Sequence, residues 1–406
     1  MAEGLRIGFV SLHTSPVASP GSADAGGMNV VELNAALALA RAGHRVDLIT
    51  RRDHPDSPAT VDLAPGVRLI NLSAGPEHTV AKSRAEELIE PFRAAMSALP
   101  GNYDVIHSHH WFSGVAALPL AHQWGVPHVQ SFHSVAAPAG AKSLAEGEPA
   151  ESSGRVAGEQ LSSRQSDLVV AVSRAEADAV RTRYQRRGPI DVVHPGVDTE
   201  QFRPLVEGQR HWAWDDTGGC YYLFAARLQP LKGPDLAIRM LAEIPEYDRP
   251  QLIIAGEASA DFADYEKSLH KLVTDLGLEG KVTFLGSQTR DELANMLRGA
   301  CALINPSYSE TFGLICLEAE ASGVPPIAAR TGGIPEAVID GETGILLDDR
   351  DPKKWAAAAQ SVRNDGELRA RLTTAARDFA CHHTWNVMAR GLEDSYRRVI
   401  ADVSKG

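Results

Sequence analysis

No stretch of the chain comes near the ~20 consecutive apolar residues that a membrane-spanning helix requires. The opening MAEGLRIGFVSLH lacks the basic start and long apolar core of a signal peptide. A cytoplasmic protein with no membrane partner is therefore expected. Cysteine is scarce: Cys220, Cys301, Cys316 and Cys381 are the four in 406 residues, and none has C-x-x-C spacing. That pattern predicts buried thiols in a reducing compartment. Positive charge is in deficit as well, with 40 Lys and Arg against 52 Asp and Glu and a net charge of -12. Such a field repels phosphate backbones and excludes nucleic acid as a partner. The sequence also lacks a G-x-G-x-x-G dinucleotide fingerprint, a short repeat and a low-complexity tract.

What is present is ordinary globular composition, 44% hydrophobic and 23% charged. The length exceeds one core and predicts two α/β domains of similar size. Arg6 to Ser11 reads as a buried parallel strand, Ser15 to Gly27 as a loop, Met28 to Ala42 as a helix and Val46 to Thr50 as the next strand. This order is a βαβ unit. Further strands are expected at Val67–Leu72, Val105–His107, His128–Ser131, Leu168–Val172 and Asp191–His194. The small, polar segment from Ala136 to Ser153 reads as a flexible loop near a cleft. PGVDTEQFRP, Pro195 to Pro204, carries the Pro and Gly of a connector. A second alternation follows, with strands at Tyr221–Ala226, Gln251–Ala255, Val282–Leu285, Ala302–Asn305, Pro326–Ala329 and Gly344–Leu347. The expected domains are 1–200 and 201–384. Trp385 to Ile400 reads as a final helix, and periodicity leaves open which domain it joins.

Four places could carry chemistry. In DAGGMN, Asp24 to Asn29, two glycines precede a helix whose N-terminal N–H groups suit a diphosphate. An ordinary strand-to-helix loop would look the same. Arg227 and Lys232, five residues apart between a strand and a helix starting near Pro234, could neutralise a diphosphate leaving group. The strongest candidate is PSYSETFGLICLE, with Glu310 in a loop and Glu318 eight residues later inside a helix. A carboxylate can accept two hydrogen bonds from a ribose diol, and unpaired N–H groups across Thr311, Phe312, Gly313 and Leu314 could hold an anion or hydroxyl. Glu318 sits in an apolar stretch, so it needs a partner. His133 follows a strand and lies at the carboxyl edge where open α/β sheets bind ligands; a packed loop histidine fits equally well. His107, His109 and His110 in HSHHW read as cleft lining, with no metal site expected.

The GGMN turn, HSHHW, SFHS, VVHPGVD, RLQPLKGPD and YSETFGLICLEAEASG occur in one order along nearly the whole chain. Together they resemble the retaining glycosyltransferases of family four, whose fold is GT-B: two facing Rossmann-like domains with a cleft between them. SPGSADAGGMNV, HSHHWFSG and GEQ at Gly158–Gln160 are similar to the branch of that family serving mycothiol biosynthesis. That branch moves N-acetylglucosamine from UDP to inositol phosphate. The resemblance implies that Gly27 offers its N–H to the donor diphosphate and that Asn29 contacts the acceptor. It implies that His133 meets the donor sugar and that Arg227 and Lys232 hold the diphosphate. Glu310 would hold sugar hydroxyls and Glu318 the ribose. The C-terminal segment 385–406 would cross back to the first domain.

The family's phosphate clamp of Lys, Tyr, Thr and Arg is only partly matched. His110 stands at the Tyr position and Ser134 at the Thr position, with Arg155 nearby and Lys82 or Arg84 as the basic residue. An acceptor other than inositol phosphate is therefore a live alternative. Related lincosamide-pathway enzymes join ergothioneine to a GDP-linked octose as an S-glycoside, and a zwitterion needs no full phosphate clamp. A nucleotide-sugar epimerase of the same fold and a non-catalytic sugar-binding protein are further alternatives. A UDP- or GDP-linked sugar is the expected donor, with no resident cofactor, and a homodimer is a candidate assembly.

Overall fold

The computed structural model describes residues 4–18, 26–137, 153–206, 220–259 and 262–404. The Asp24-Ala25 half of the glycine turn and most of the Ala136–Ser153 loop lie outside them. The first half of the chain builds an eight-stranded sheet. Its strands are β1 (Arg6–Ser11), β2 (Arg45–Arg51), β3 (Thr60–Ala64), β4 (Val67–Leu72), β5 (Val105–His109), β6 (His128–Ser131), β7 (Leu168–Ala171) and β8 (Ile190–Val192). They lie in the order β3-β4-β2-β1-β5-β6-β7-β8. β1 is central, paired in parallel with β2 and β5. Its Ile7, Phe9 and Val10 are buried, as a parallel strand covered by helices on both faces requires. Only β3 runs antiparallel, against β4. It was not expected from the sequence, because TVDLA is short, half-exposed and carries Asp62 in its middle.

The second half builds a six-stranded parallel sheet from β9 (Tyr221–Ala225), β10 (Gln251–Ala255), β11 (Val282–Gly286), β12 (Ala300–Asn305), β13 (Pro326–Ala329) and β14 (Ile345–Leu347). Their order is β11-β10-β9-β12-β13-β14. In both sheets the order reverses beside the first strand of the half, at β1 and at β9. Such switch points open crevices at the carboxyl ends of the strands.

The last two helices belong to different halves. Gly366–His382 packs on the helix Leu314–Ala321 of the second half. Trp385–Val403 packs on Gly27–Arg41 of the first. Its Met388, Ala389, Leu392, Tyr396 and Val399 share a core with Ile7, Phe9, Val30, Val31 and Leu39. The crossing occurs at His383-Thr384, beside the connector that carries the chain the other way. Val197 N–H donates to the His383 carbonyl at 2.9 Å. A Cβ at Gly196 would stand 2.2 Å from the Trp385 nitrogen, so only glycine lets the two segments pass.

The cysteines depart from the expectation of four buried thiols. Cys220, just before β9, and Cys301, on the neighbouring β12, have Cα atoms 5.5 Å apart and are joined as a disulfide. Cys316 is a buried thiol and Cys381 an exposed one. The separation of 81 residues hid the pair, because adjacency of β9 and β12 is a property of the sheet order. No helix among the described residues is long and apolar enough to cross a membrane.

Candidate active site

The carboxyl edges of the two sheets meet. The Thr311 hydroxyl, following β12, donates to the carbonyl of His133, following β6, at 2.7 Å. A second bridge runs through Glu336. Its carboxylate accepts from the backbone N–H groups of Arg174 at 2.9 Å and Ala175 at 3.2 Å, and it lies 3.0 Å from His194 Nε2. A carboxylate of one half thus caps the N-terminus of a helix in the other, where the helix dipole favours it.

On the second half, β9 ends at Ala225 and the chain bends through Arg227 into the short 3-10 turn Pro230–Lys232. Among the described residues the Arg227 guanidinium has no ion pair. Lys232 Nζ lies 2.6 Å from Glu310 Oε2, and Ser307 Oγ approaches the same oxygen at 3.5 Å. Glu310 is held in place by its backbone: its carbonyl accepts from Gly333 N–H at 2.9 Å. Gly313 has φ 98°, a left-handed conformation that favours glycine, and it starts the helix Leu314–Ala321. No backbone hydrogen bond engages the N–H of Thr311, Phe312, Gly313 or Leu314 among the described residues. Phe312 is buried, and Leu314 packs against the core of the first half. Glu318 is buried and meets Arg290 Nη2 at 2.5 Å. Arg290 in turn stacks over the Phe202 ring, 4.6 Å from its centre. Sequence reasoning asked for a partner to Glu318 and did not find Arg290. The one local signal was the capping box Thr289-x-x-Glu292, which starts its helix.

On the first half, Gly26 caps the helix Gly27–Arg41. Among the described residues, a Cβ at Gly27 would meet nothing within 4 Å. Asn29 is buried and braces the loop ahead of it. Its Oδ1 accepts from Gly26 N–H at 2.9 Å, while Nδ2 donates to Ser15 O at 2.8 Å and Thr14 Oγ1 at 3.1 Å. His110 has φ 67°, and its ring packs on His13 and Phe112. Arg155, on the helix Ser153–Gln165, donates to Ser134 Oγ at 3.1 Å and Ser134 O at 3.2 Å. Its Nε donates to the fully buried Glu159 at 2.7 Å. Glu159 is itself gripped by Ala136 N–H and the Tyr184 hydroxyl. Arg84 pairs with Glu87 at 2.8 Å on the surface. Lys82 opens the 3-10 segment Lys82–Leu88, and its side chain lies outside the described residues.

The histidines divide by depth. His107 is core rather than cleft lining. Ser131 Oγ gives its proton to Val170 O at 2.6 Å, so it accepts from His107 Nε2–H at 2.9 Å. His107 Nδ1 is then left to accept from the Tyr396 hydroxyl at 2.7 Å, which ties the returning helix to β5. His109 Nδ1 lies 2.8 Å from His133 Nε2, and the buried Glu32 comes within 3.8 Å of the same Nδ1. Burial pushes His133 down to about 4, so it is neutral at pH 7. Glu32, His109 and His133 offer ligand atoms within 4.8 Å of one another, a grouping the sequence did not suggest.

Residues 25–201 match Glycosyltransferase Family 4, and residues 215–379 match Glycosyl transferases group 1. The D-inositol 3-phosphate glycosyltransferase of Mycobacterium marinum is 38% identical, with 99% of this chain and 87% of that protein covered. That of Stackebrandtia nassauensis is 39% identical, over 96% of this chain and 91% of that protein. Among solved structures, a sucrose-phosphate synthase from Thermosynechococcus elongatus superposes with TM-score 0.87 at 27% identity, covering 98% of this chain and all of that one. Anabaena Alr3699/HepE in complex with UDP and glucose superposes with TM-score 0.76 at 21% identity, covering 97% of this chain and all of that one, and shares the fold. Two parallel-sheet domains, a shared edge and full-length relatedness agree: the chain is a glycosyltransferase of GT-B fold and belongs to the family of the D-inositol 3-phosphate glycosyltransferases.

Proposed function

We propose that this enzyme moves N-acetylglucosamine from UDP to inositol phosphate, with retention of anomeric configuration. The observation that carries the reading is the Lys232–Glu310 pair, in the loop that also carries Arg227, set across the Thr311–His133 contact from the Arg155–Ser134 contact. A donor diphosphate entering at Arg227 and Lys232 draws the ammonium away from Glu310 and frees that carboxylate for sugar hydroxyls. The bare N–H groups at Thr311 to Leu314 and at the helix end of Gly27 add donors without adding charge. Arg290 holds Glu318 for the ribose. Asn29 shapes the acceptor side by bracing the loop, Arg155 with Ser134 faces the acceptor phosphate, and His110 and Lys82 are further candidates for it.

No side-chain nucleophile is assigned. The acceptor hydroxyl attacks the anomeric carbon on the face from which the nucleotide leaves, and its proton passes to a departing phosphate oxygen. The protein then contributes positioning and charge stabilisation at the leaving group.

A second reading rests on one feature: Arg155 is already neutralised by Glu159, so the clamp carries little net charge. That suits a zwitterion such as ergothioneine with a GDP-linked octose, joined through sulfur. Incubating the enzyme with UDP-N-acetylglucosamine or a GDP-sugar, against inositol 3-phosphate or ergothioneine, and weighing the products separates the two. A glycosylated inositol phosphate from the UDP donor supports the first reading. An S-glycoside formed only from a GDP donor replaces it. Epimerised donor without acceptor would leave neither.

A further inference from the structure

Glu336 ends the segment Gly332-Gly333-Ile334-Pro335, which is pressed against the Glu310–Thr311 loop of its own half. Gly333 N–H donates to Glu310 O at 2.9 Å, and Thr331 Oγ1 donates to Tyr308 O at 3.0 Å. A Cβ at Gly332 would stand 1.9 Å from Glu310 O, and one at Gly333 2.1 Å from Thr311 O. Backbones in such close contact move as one piece, so the place of Glu336 fixes the place of Glu310 and Thr311.

The Glu336 carboxylate finds its partners in the other half. Oε2 accepts from Arg174 N–H at 2.9 Å and Oε1 from Ala175 N–H at 3.2 Å, while His194 Nε2, on the connector after β8, lies 3.0 Å from Oε2. No donor of its own half meets this carboxylate among the described residues. Nor does the helix Arg174–Tyr184 need it as a cap. Ser173 Oγ already accepts from Glu176 N–H at 3.0 Å, and Glu176 Oε2 accepts from Val172 N–H at 2.7 Å. The N–H groups of Arg174 and Ala175 are left over by that cap, and a charged acceptor from the other half takes both.

We propose that Glu336 is a positioning residue that fastens the two halves in register and so holds the Glu310 loop facing His133. The Thr311–His133 hydrogen bond alone is a pivot. The three contacts of Glu336, to a helix end and to the connector, stop rotation about it. The His194 ring adds to this, packing 5.5 Å from the ring of Phe312, the residue after Thr311. When the halves part, the carboxylate and its donors return to water, so the contact shifts the population toward the docked arrangement without touching the nucleotide. Its effect on catalysis rests on the sugar-holding place proposed for Glu310 above.

One pair of substitutions isolates the contact. Arg174 is exposed and is the first residue of its helix, where proline is well tolerated. Ser173 before it is extended, with φ -154° and ψ 161°, which suits a residue preceding proline. Arg174→Pro removes the N–H that reaches Glu336; Arg174→Ala removes the same side chain and keeps the N–H. The measurements are small-angle X-ray scattering of the full-length protein without substrate, kcat with UDP-N-acetylglucosamine and inositol 3-phosphate, and UDP affinity by calorimetry. Arg174→Pro should show a larger radius of gyration than Arg174→Ala and a kcat about tenfold lower, with UDP affinities within about twofold of each other. Glu336→Ala should show both effects at least as strongly. Equal radii or an equal kcat in the two Arg174 variants overturn the proposal. A UDP affinity that falls along with kcat overturns it too, because Glu336 would then act on the donor site itself. Absence of turnover in the wild type would instead sink the acceptor reading, and the radii, taken without substrate, would still decide.

Discussion

Lys232 and Glu310 neutralise one another across 2.6 Å before any donor arrives. The pair keeps two groups of opposite sign at the mouth of one crevice without leaving either unpaired. On the proposed function each is released to a different part of the donor. Removing the ammonium takes away a charge from the leaving diphosphate and leaves Glu310 to repel it. Lys232→Ala is expected to lower turnover by roughly a hundredfold or more while the thermal midpoint barely moves, since the side chain lies outside both cores. Steady-state kinetics beside a melting curve checks this; near-normal turnover would remove Lys232 from the leaving-group site. Arg290 shows the same economy at Glu318, where a partly exposed guanidinium pairs with a buried carboxylate.

At the scale of elements, what could be read in the sequence was whatever depends on neighbours along the chain. The mostly apolar run Arg6–Ser11 announced a buried strand, and the helix expected from Gly313 onward starts there, with Gly313 in a left-handed turn as its cap. Motif order singled out Lys232 and Glu310, which the structure brings together. What could not be read was contact between distant elements. β3 pairs on one edge only and carries a mixed pattern. Cys220 meets Cys301 because β9 lies next to β12. Glu32 sits in a mostly apolar helix, and nothing within a turn of it hints at His109, 77 residues further on. The returning helix is bound by Tyr396 to His107 and by Ser395 to Asp191, contacts with no local signature.

For the whole molecule, buried histidines set the acid limit of stability. His128 is fully buried, donating from Nδ1 to Ser166 Oγ at 2.8 Å and accepting at Nε2 from Ser108 Oγ at 2.9 Å. Burial, then the charges of His122 and Arg186, push it from the usual 6.5 down to about 3. Between those values the unfolded chain binds the extra proton. The contribution is therefore whole above pH 6.5 and is lost as pH falls toward 3, at up to ~1.4 kcal/mol per pH unit. Glu176 acts with the opposite sign: burial raises it to about 7, so its contribution is lost as pH rises from 4.5 to 7. Urea midpoints measured from pH 7 to 4 should fall less steeply in His128→Asn than in the wild type. Parallel slopes would show that His128 does not carry this charge cost.

Thr311, His133 and Glu336 join the two halves, and the proposed function puts the donor on the second and the acceptor on the first. The printed contacts of Arg155 lie within the first half, so on the proposed function it separates the two roles. The most direct measurement is the acceptor KM and the nucleotide affinity of Arg155→Ala, taken together. The account predicts an acceptor KM raised about tenfold or more, as loss of a charge-assisted contact implies, with nucleotide affinity unchanged. Weakened nucleotide binding at an unchanged acceptor KM would contradict it.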